Sequence, residues 1–139
     1  MKELSKSDLK FAFEQDIKMA LYTLDRYNVD ANLALVACDD YDIDKAHLIE
    51  NVRQSDVAKK INEHYVAILF TFVDNVGARC ALEKVMDRYK QYHLKGSLVV
   101  LKKGETVESV YERVLEANHL IHLDPEKAIF DESESLMTV

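Results

Sequence analysis

The chain of 139 residues has three glycines, one proline, two cysteines and no tryptophan. So little glycine and proline excludes a low-complexity or disordered protein, whose composition leaves too little to bury. Two cysteines cannot build a disulfide scaffold, and Cys38 and Cys80 are read as reduced core thiols. An excess of cations is missing too: 18 Lys and Arg stand against 25 Asp and Glu, for a net charge of −7. That balance argues against nonspecific binding to nucleic acid or to anionic membranes, both of which depend on clustered cations displacing counterions. The longest apolar runs, such as residues 66–72, are far shorter than a bilayer requires, and the first residues lead into a charged amphipathic helix rather than a signal-peptide core. A cytoplasmic location is expected. What is present is a 48% hydrophobic, 31% charged chain, suited to one domain with a substantial core.

The apolar spacing gives the element order. Ser7 is the expected cap of a helix carrying Leu9, Phe13, Ile17, Leu21 and Leu24 at helical intervals and ending near Tyr27 and Asn28. Residues 33–38 form a continuous apolar run that fits a buried strand and stops at Asp39, Asp40, Tyr41 and Asp42. A short helix is expected over 45–52. Two strands joined by a polar turn at Asn62-Glu63-His64-Tyr65 follow, and Asp74 caps a helix with Ala78, Ala81, Leu82, Val85 and Tyr89 on one face. Gly96 opens a strand over 97–102, Gly104 makes a turn, and Thr106 caps a last helix with Val107, Val110, Val114 and Ala117 turned inward. The pattern is an α+β domain with a β-α-β-β-α-β core, the ferredoxin-like split arrangement with a four-stranded antiparallel sheet, plus N- and C-terminal helices. Residues 1–123 form the domain, and 124–139 read as a loose acidic tail. Many functions share that fold, so the pattern alone names none.

The stretch from Arg53 to Phe70 is the most specific. Its Arg53-x-x-Asp56 pair, the basic Lys60, the turn and the apolar strand after it resemble the central hairpin of a GGDEF (diguanylate cyclase) domain, a bacterial signalling family. Residues 66–85 and 96–120 are similar in order to that family's later strands and helices, so the resemblance covers roughly 11–121. It implies a palm-type sheet with the nucleotide lying over the first strand and the hairpin. Here the glycine turn has become Asn62-Glu63-His64-Tyr65, and both glycines are gone. A cyclase needs them because only a residue without Cβ lets backbone approach the guanosine phosphates closely. It also needs carboxylates on a divalent metal, for which Asp39 (or Asp40) and Glu63 are the candidates. The segment that reads guanine, two helices in the family, is compressed to one. The resemblance therefore implies a degenerate GGDEF-like domain without catalytic residues and without a cofactor.

In the family, Arg-x-x-Asp before the hairpin is the inhibitory site for cyclic di-GMP. Arg53, Asp56 and Lys60 are the corresponding ligand candidates, since an arginine fork engages phosphate or guanine in bidentate fashion and a carboxylate accepts from guanine N–H groups. Other clusters have plainer readings. Asp39, Asp40, Asp42 and Asp44 fit solvation and helix capping, with Asp44 as the cap. His119-x-x-His122 lacks a third ligand, neither cysteine has a base nearby, and Tyr22, Tyr27, Tyr89, Tyr92 and Tyr111 fit helix-face packing. The expected function is a non-catalytic regulatory module whose partner is another protein, with a cyclic di-GMP receptor as the first alternative and a metal-dependent nucleotide enzyme as the second.

Overall fold

A computed structural model describes residues 4–38 and 56–133. The elements run α1 (Lys6–Tyr27), β1 (Ala31–Ala37), β2 (Val57–Asn62), β3 (Tyr65–Thr71), α2 (Asn75–Arg88), a 3-10 turn (Lys90–Tyr92), β4 (Lys95–Val100), α3 (Val107–Leu123) and β5 (Ile129–Asp131). The helix expected over 45–52 lies outside the described residues.

Each helix begins at a side-chain cap. Ser5, not Ser7, caps α1: its Oγ accepts from Asp8 N at 3.1 Å while the Asp8 carboxylate accepts from Ser5 N, a reciprocal box that places Ser7 inside the first turn. Asp74 and Thr106 cap α2 and α3 as their sequence positions suggest. Asn28, in the left-handed region at φ 57°, ends α1.

The sheet order is β2-β3-β1-β4-β5. β1 is antiparallel to β3, with Leu35 opposite Ala67, and to β4, with Leu35 opposite Ser97. β2 pairs antiparallel with β3 and carries an irregularity between Lys60 and Asn62 just before the turn. These four strands are the expected antiparallel core. The fifth corrects the reading: residues 129–131, placed in a loose acidic tail, pair in parallel with β4, Ser97 standing opposite Phe130.

Every residue of β1 is buried, because helices cover both faces of the sheet. Leu33, Leu35, Tyr65, Leu69 and Val99 face α1 and α3, meeting Phe13, Ile17, Val110 and Val114. Ala34, Val36, Ile68, Phe70 and Leu98 face α2, meeting Ala78, Leu82 and Val85. Burying one such Leu or Ile contributes roughly 1.5–3 kcal/mol. Cys38 belongs to this second layer, whereas Cys80 is exposed on α2 and is not the core thiol the sequence suggested. The tyrosines divide likewise: Tyr111 is buried, while Tyr22 and Tyr27 are exposed. Among the described residues no helix is long and apolar enough to cross a membrane.

Candidate functional site

The antiparallel register brings the end of β1 and the β2–β3 turn together. Ala37 stands opposite Tyr65, so the next residues, Cys38 and His64, are neighbours across the strands. Cys38 N donates to the His64 carbonyl at 2.8 Å, and the His64 ring N–H at Nδ1 donates back to the Cys38 carbonyl at 2.8 Å. The turn closes on itself as well, with Asn62 Oδ1 accepting from His64 N at 2.8 Å. Behind it, the buried Tyr65 hydroxyl accepts from Asn118 Nδ2 at 3.3 Å, and His122 Nδ1 bonds the Asn118 carbonyl at 2.8 Å. The Cys38 thiol, at 3.9 Å from the Tyr92 carbonyl, adds a weak contact to the 3-10 turn. Asn118 escaped the sequence reading, and His122 was weighed there only with His119 as an incomplete ligand pair, because no local motif joins a helix C-terminus to a turn more than 50 residues earlier. Glu63 projects into solvent at the turn, and Asp39 and Asp40 lie outside the described residues.

The second candidate site begins at the other end of β2. Asp56 is half-buried and its Oδ1 accepts from Thr71 N at 3.3 Å, which pins the carboxylate to the end of β3. Lys60 lies four residues on, at the turn end, roughly 13 Å away at the usual strand rise. A ligand touching both would have to span the strand. Its neighbour Lys59 is committed to α1, with Nζ 2.6 Å from Asp16 Oδ2 and 2.9 Å from the Ala12 carbonyl. Arg53 lies outside the described residues.

A third feature sits where β3 ends. Phe72 is 69% exposed and adopts φ 61°, a left-handed conformation that costs a bulky side chain roughly 1–2 kcal/mol. Its amide is held by the Asp30 carbonyl at 3.0 Å. Phe72 and the 63% exposed Met19 flank a cavity of about 220 Å³ whose apolar wall includes Val57 and Leu69, with Asp16 and Asp30 at its edge.

Solved structures share this architecture. The GGDEF domain of DgcB from Caulobacter crescentus, in complex with c-di-GMP, matches 86% of this chain and 87% of its own with a TM-score of 0.69 at 15% identity. The chain has the GGDEF-domain fold. The FimX GGDEF domain from Pseudomonas aeruginosa matches with a TM-score of 0.69 at 13% identity, over 86% of this chain and 90% of that one. Diguanylate cyclase SiaD of the same organism, in complex with its activator SiaC, gives 0.70 at 11% identity over 84% of this chain and 55% of its own. No protein-family model matches the sequence, and no curated protein matches it. At these identities the likeness carries the fold alone. Within the GGDEF fold, the Glu63–His64 turn and its bonds to Cys38 occupy the hairpin, where the resemblance leads one to expect glycine.

Proposed function

We propose that this chain is a non-catalytic signalling module of GGDEF fold that acts through a protein partner. The observation that carries the reading is Phe72. A large aromatic ring is kept in solvent, in a strained backbone conformation, at the lip of an apolar cavity. The cost of the exposed ring is recovered when another surface covers it, and backbone strain of this kind concentrates at recognition sites. SiaD, of the same fold, was solved in complex with an activator protein, which supports a module of this type serving as a docking partner.

The hairpin supports the absence of turnover. Close approach of backbone to a triphosphate requires a turn free of side chains, and here Asn62, Glu63 and His64 fill it. Incubated with GTP and Mg²⁺ or Mn²⁺, the protein should make no cyclic di-GMP. Turnover that Asp39→Ala or Glu63→Ala abolishes would refute this and promote the enzyme reading. For the partner, affinity capture from the native cell should recover one protein with the wild-type chain and lose it with Phe72→Ser. Recovery at equal yield with both chains sinks the docking role of this surface.

Asp56 favours a second reading, a cyclic di-GMP receptor. With one oxygen fixed by Thr71 N, its carboxylate is oriented rather than free to rotate, as a guanine-accepting group should be. Arg53 would supply the fork and Lys60 a second cation. Arg53→Ala should weaken cyclic di-GMP binding about ten- to a hundredfold, the loss of one charge-assisted contact. Absence of heat and of amide shifts on titrating wild-type protein removes this reading and returns Arg53 and Asp56 to a surface role.

A further inference from the structure

On the opposite sheet edge from β2, a cavity of about 240 Å³ opens between the 3-10 turn, the start of β4 and the loop that leads into β5. Its floor is apolar, formed by the buried Met86 and Leu94. Its rim is basic: Lys90, His93, Lys95 and Lys127 line it, and among the described residues that do so Glu126 alone is acidic. This inverts the charge balance of a chain with 25 acidic residues and 18 Lys and Arg.

Several cations elsewhere are neutralised in pairs. Lys6, Lys18, Lys59, Arg79 and Arg113 each face a carboxylate within 4 Å. Among the described residues Lys90, His93 and Lys127 make no ion pair. Like charges gathered around one small cavity repel one another, and the repulsion is relieved when an anion enters.

The walls are already fixed. Lys95 Nζ donates to the Asp124 carbonyl at 2.6 Å and to the Lys127 carbonyl, tying the loop to β4. Asp124 Oδ1 accepts from Glu126 N at 3.0 Å and Lys127 N at 3.2 Å, and Gly96 N donates to the Ala128 carbonyl at 2.7 Å. Across the cavity, His93 sits at φ 53° with its amide bonded to the Lys90 carbonyl, which fixes the backbone there. A backbone ordered in advance leaves only the exposed Lys90, His93 and Lys127 side chains to be ordered on binding.

From this placement we infer that the cavity binds a small phosphomonoester with an apolar body. The lysines offer point charges and His93 a ring nitrogen for a single hydrogen bond, which suit the three oxygens of a phosphate. Among the described lining residues there is no arginine, so recognition rests on charge rather than on a bidentate fork, and a phosphomonoester, at about −1.5 to −2 near neutral pH, gains more from such point charges than a singly charged carboxylate does. The volume falls below the range of about 300–1,000 Å³ usual for drug-sized ligands, so a cyclic dinucleotide is too large, and the cavity lies at the other sheet edge from Asp56. The Met86 and Leu94 floor would receive the ester's organic part.

Phenyl phosphate, which carries both features, is the probe. Titrated into ¹⁵N-labelled protein, it should move the amides of His93, Leu94, Lys95, Lys127 and Ala128 with a dissociation constant on the order of 1 mM or tighter. Inorganic phosphate should move the same amides more weakly. The surface variant Lys90→Ser with Lys127→Ser, which leaves the core intact, should weaken phenyl phosphate binding by roughly tenfold or more. The inference is overturned if phenyl phosphate moves none of these amides, if the double variant binds it equally well, or if inorganic phosphate binds as tightly. A single-stranded oligonucleotide that moves the same amides at lower concentration than phenyl phosphate overturns it as well.

Discussion

β1 and β5 belong to one sheet and are held by opposite means. β1 has seven residues, all buried, and apart from Asn32 they are apolar and packed against helices on both faces. β5 has three residues, and polar bonds secure it. The Asp131 carboxylate, 4% exposed, accepts from Ser133 N at 3.0 Å, Ser133 Oγ at 2.7 Å, Asn75 Nδ2 at 3.3 Å and Arg79 Nη1 at 3.5 Å. Next to it, Glu132 pairs with Arg113, whose guanidinium also binds both Glu105 oxygens and the Val100 carbonyl. An apolar strand tolerates loss of any one contact but no charge. A polar latch tolerates a charge but not the loss of its partner.

The sharpest way to break β1 is to give it a charge. Leu35 is 1% exposed at the centre of the strand, so Leu35→Asp buries an unpaired carboxylate at a cost of several kcal/mol. The domain should be unfolded at room temperature by circular dichroism. A wild-type melting temperature would show that β1 is not the central buried strand.

The same contrast explains what the sequence disclosed. An unbroken apolar run such as 33–38 announces a two-sided strand, and spaced leucines with a capping Asp or Thr announce α2 and α3, because these signals lie within one segment. β5 gives no such signal. Ile129 and Phe130 are followed by Asp131 and Glu132, and what makes them a strand is pairing with β4, packing against the two core layers and the bonds from Arg79, Asn75 and Arg113, side chains on two helices remote in sequence. The site was legible to the same depth. The turn and Asp56 could be placed from order and spacing, whereas the Tyr65, Asn118 and His122 contacts and the cations around the β5 loop exist only after folding.

Cutting the β5 latch should cost less than charging β1. Arg113→Ala leaves the Glu105 carboxylate, with a side chain 5% exposed, without its guanidinium, at about 3 kcal/mol. Guanidinium chloride unfolding measures it, and Arg113→Met combined with Glu105→Leu should recover much of the loss, since an apolar pair leaves no stranded charge. Acid should loosen the latch as well. Burial pushes the Glu105 carboxyl up, but hydrogen bonds from Arg113, Ser109 and Lys102 N outweigh it and hold the group below its ordinary 4.5. The unfolded chain therefore takes up a proton at a pH where the folded chain does not. The Glu105 contribution is complete above the ordinary value and disappears as pH falls through the lowered one. Stability of Glu105→Gln should decline less over that interval, and parallel declines would remove Glu105 from the acid response.

The smallest expected effect tests whether the hairpin turn resembles β1 or β5 in how it is held. His64 contributes a side-chain bond to the Cys38 carbonyl, but its backbone carbonyl also accepts from Cys38 N, and truncation does not touch that second bond. The turn has a further support of its own in Asn62 Oδ1. His64→Ala removes one hydrogen bond from a half-buried ring to the carbonyl of the buried Cys38, and water entering the space the ring vacates can replace it, so the loss should be about 1 kcal/mol. In a chain of this length that lowers the melting temperature by about 4 °C. Amide exchange supplies the finer reading. If the turn is held like β1, by register, exchange at Cys38 N stays slow in His64→Ala. If it is latched like β5, opening of this one bond frees the whole turn, and Cys38 N and Tyr65 N exchange faster together. The backbone bond from Cys38 N and the β1–β3 register favour the first outcome. Concerted fast exchange would instead make His64 the turn's only latch.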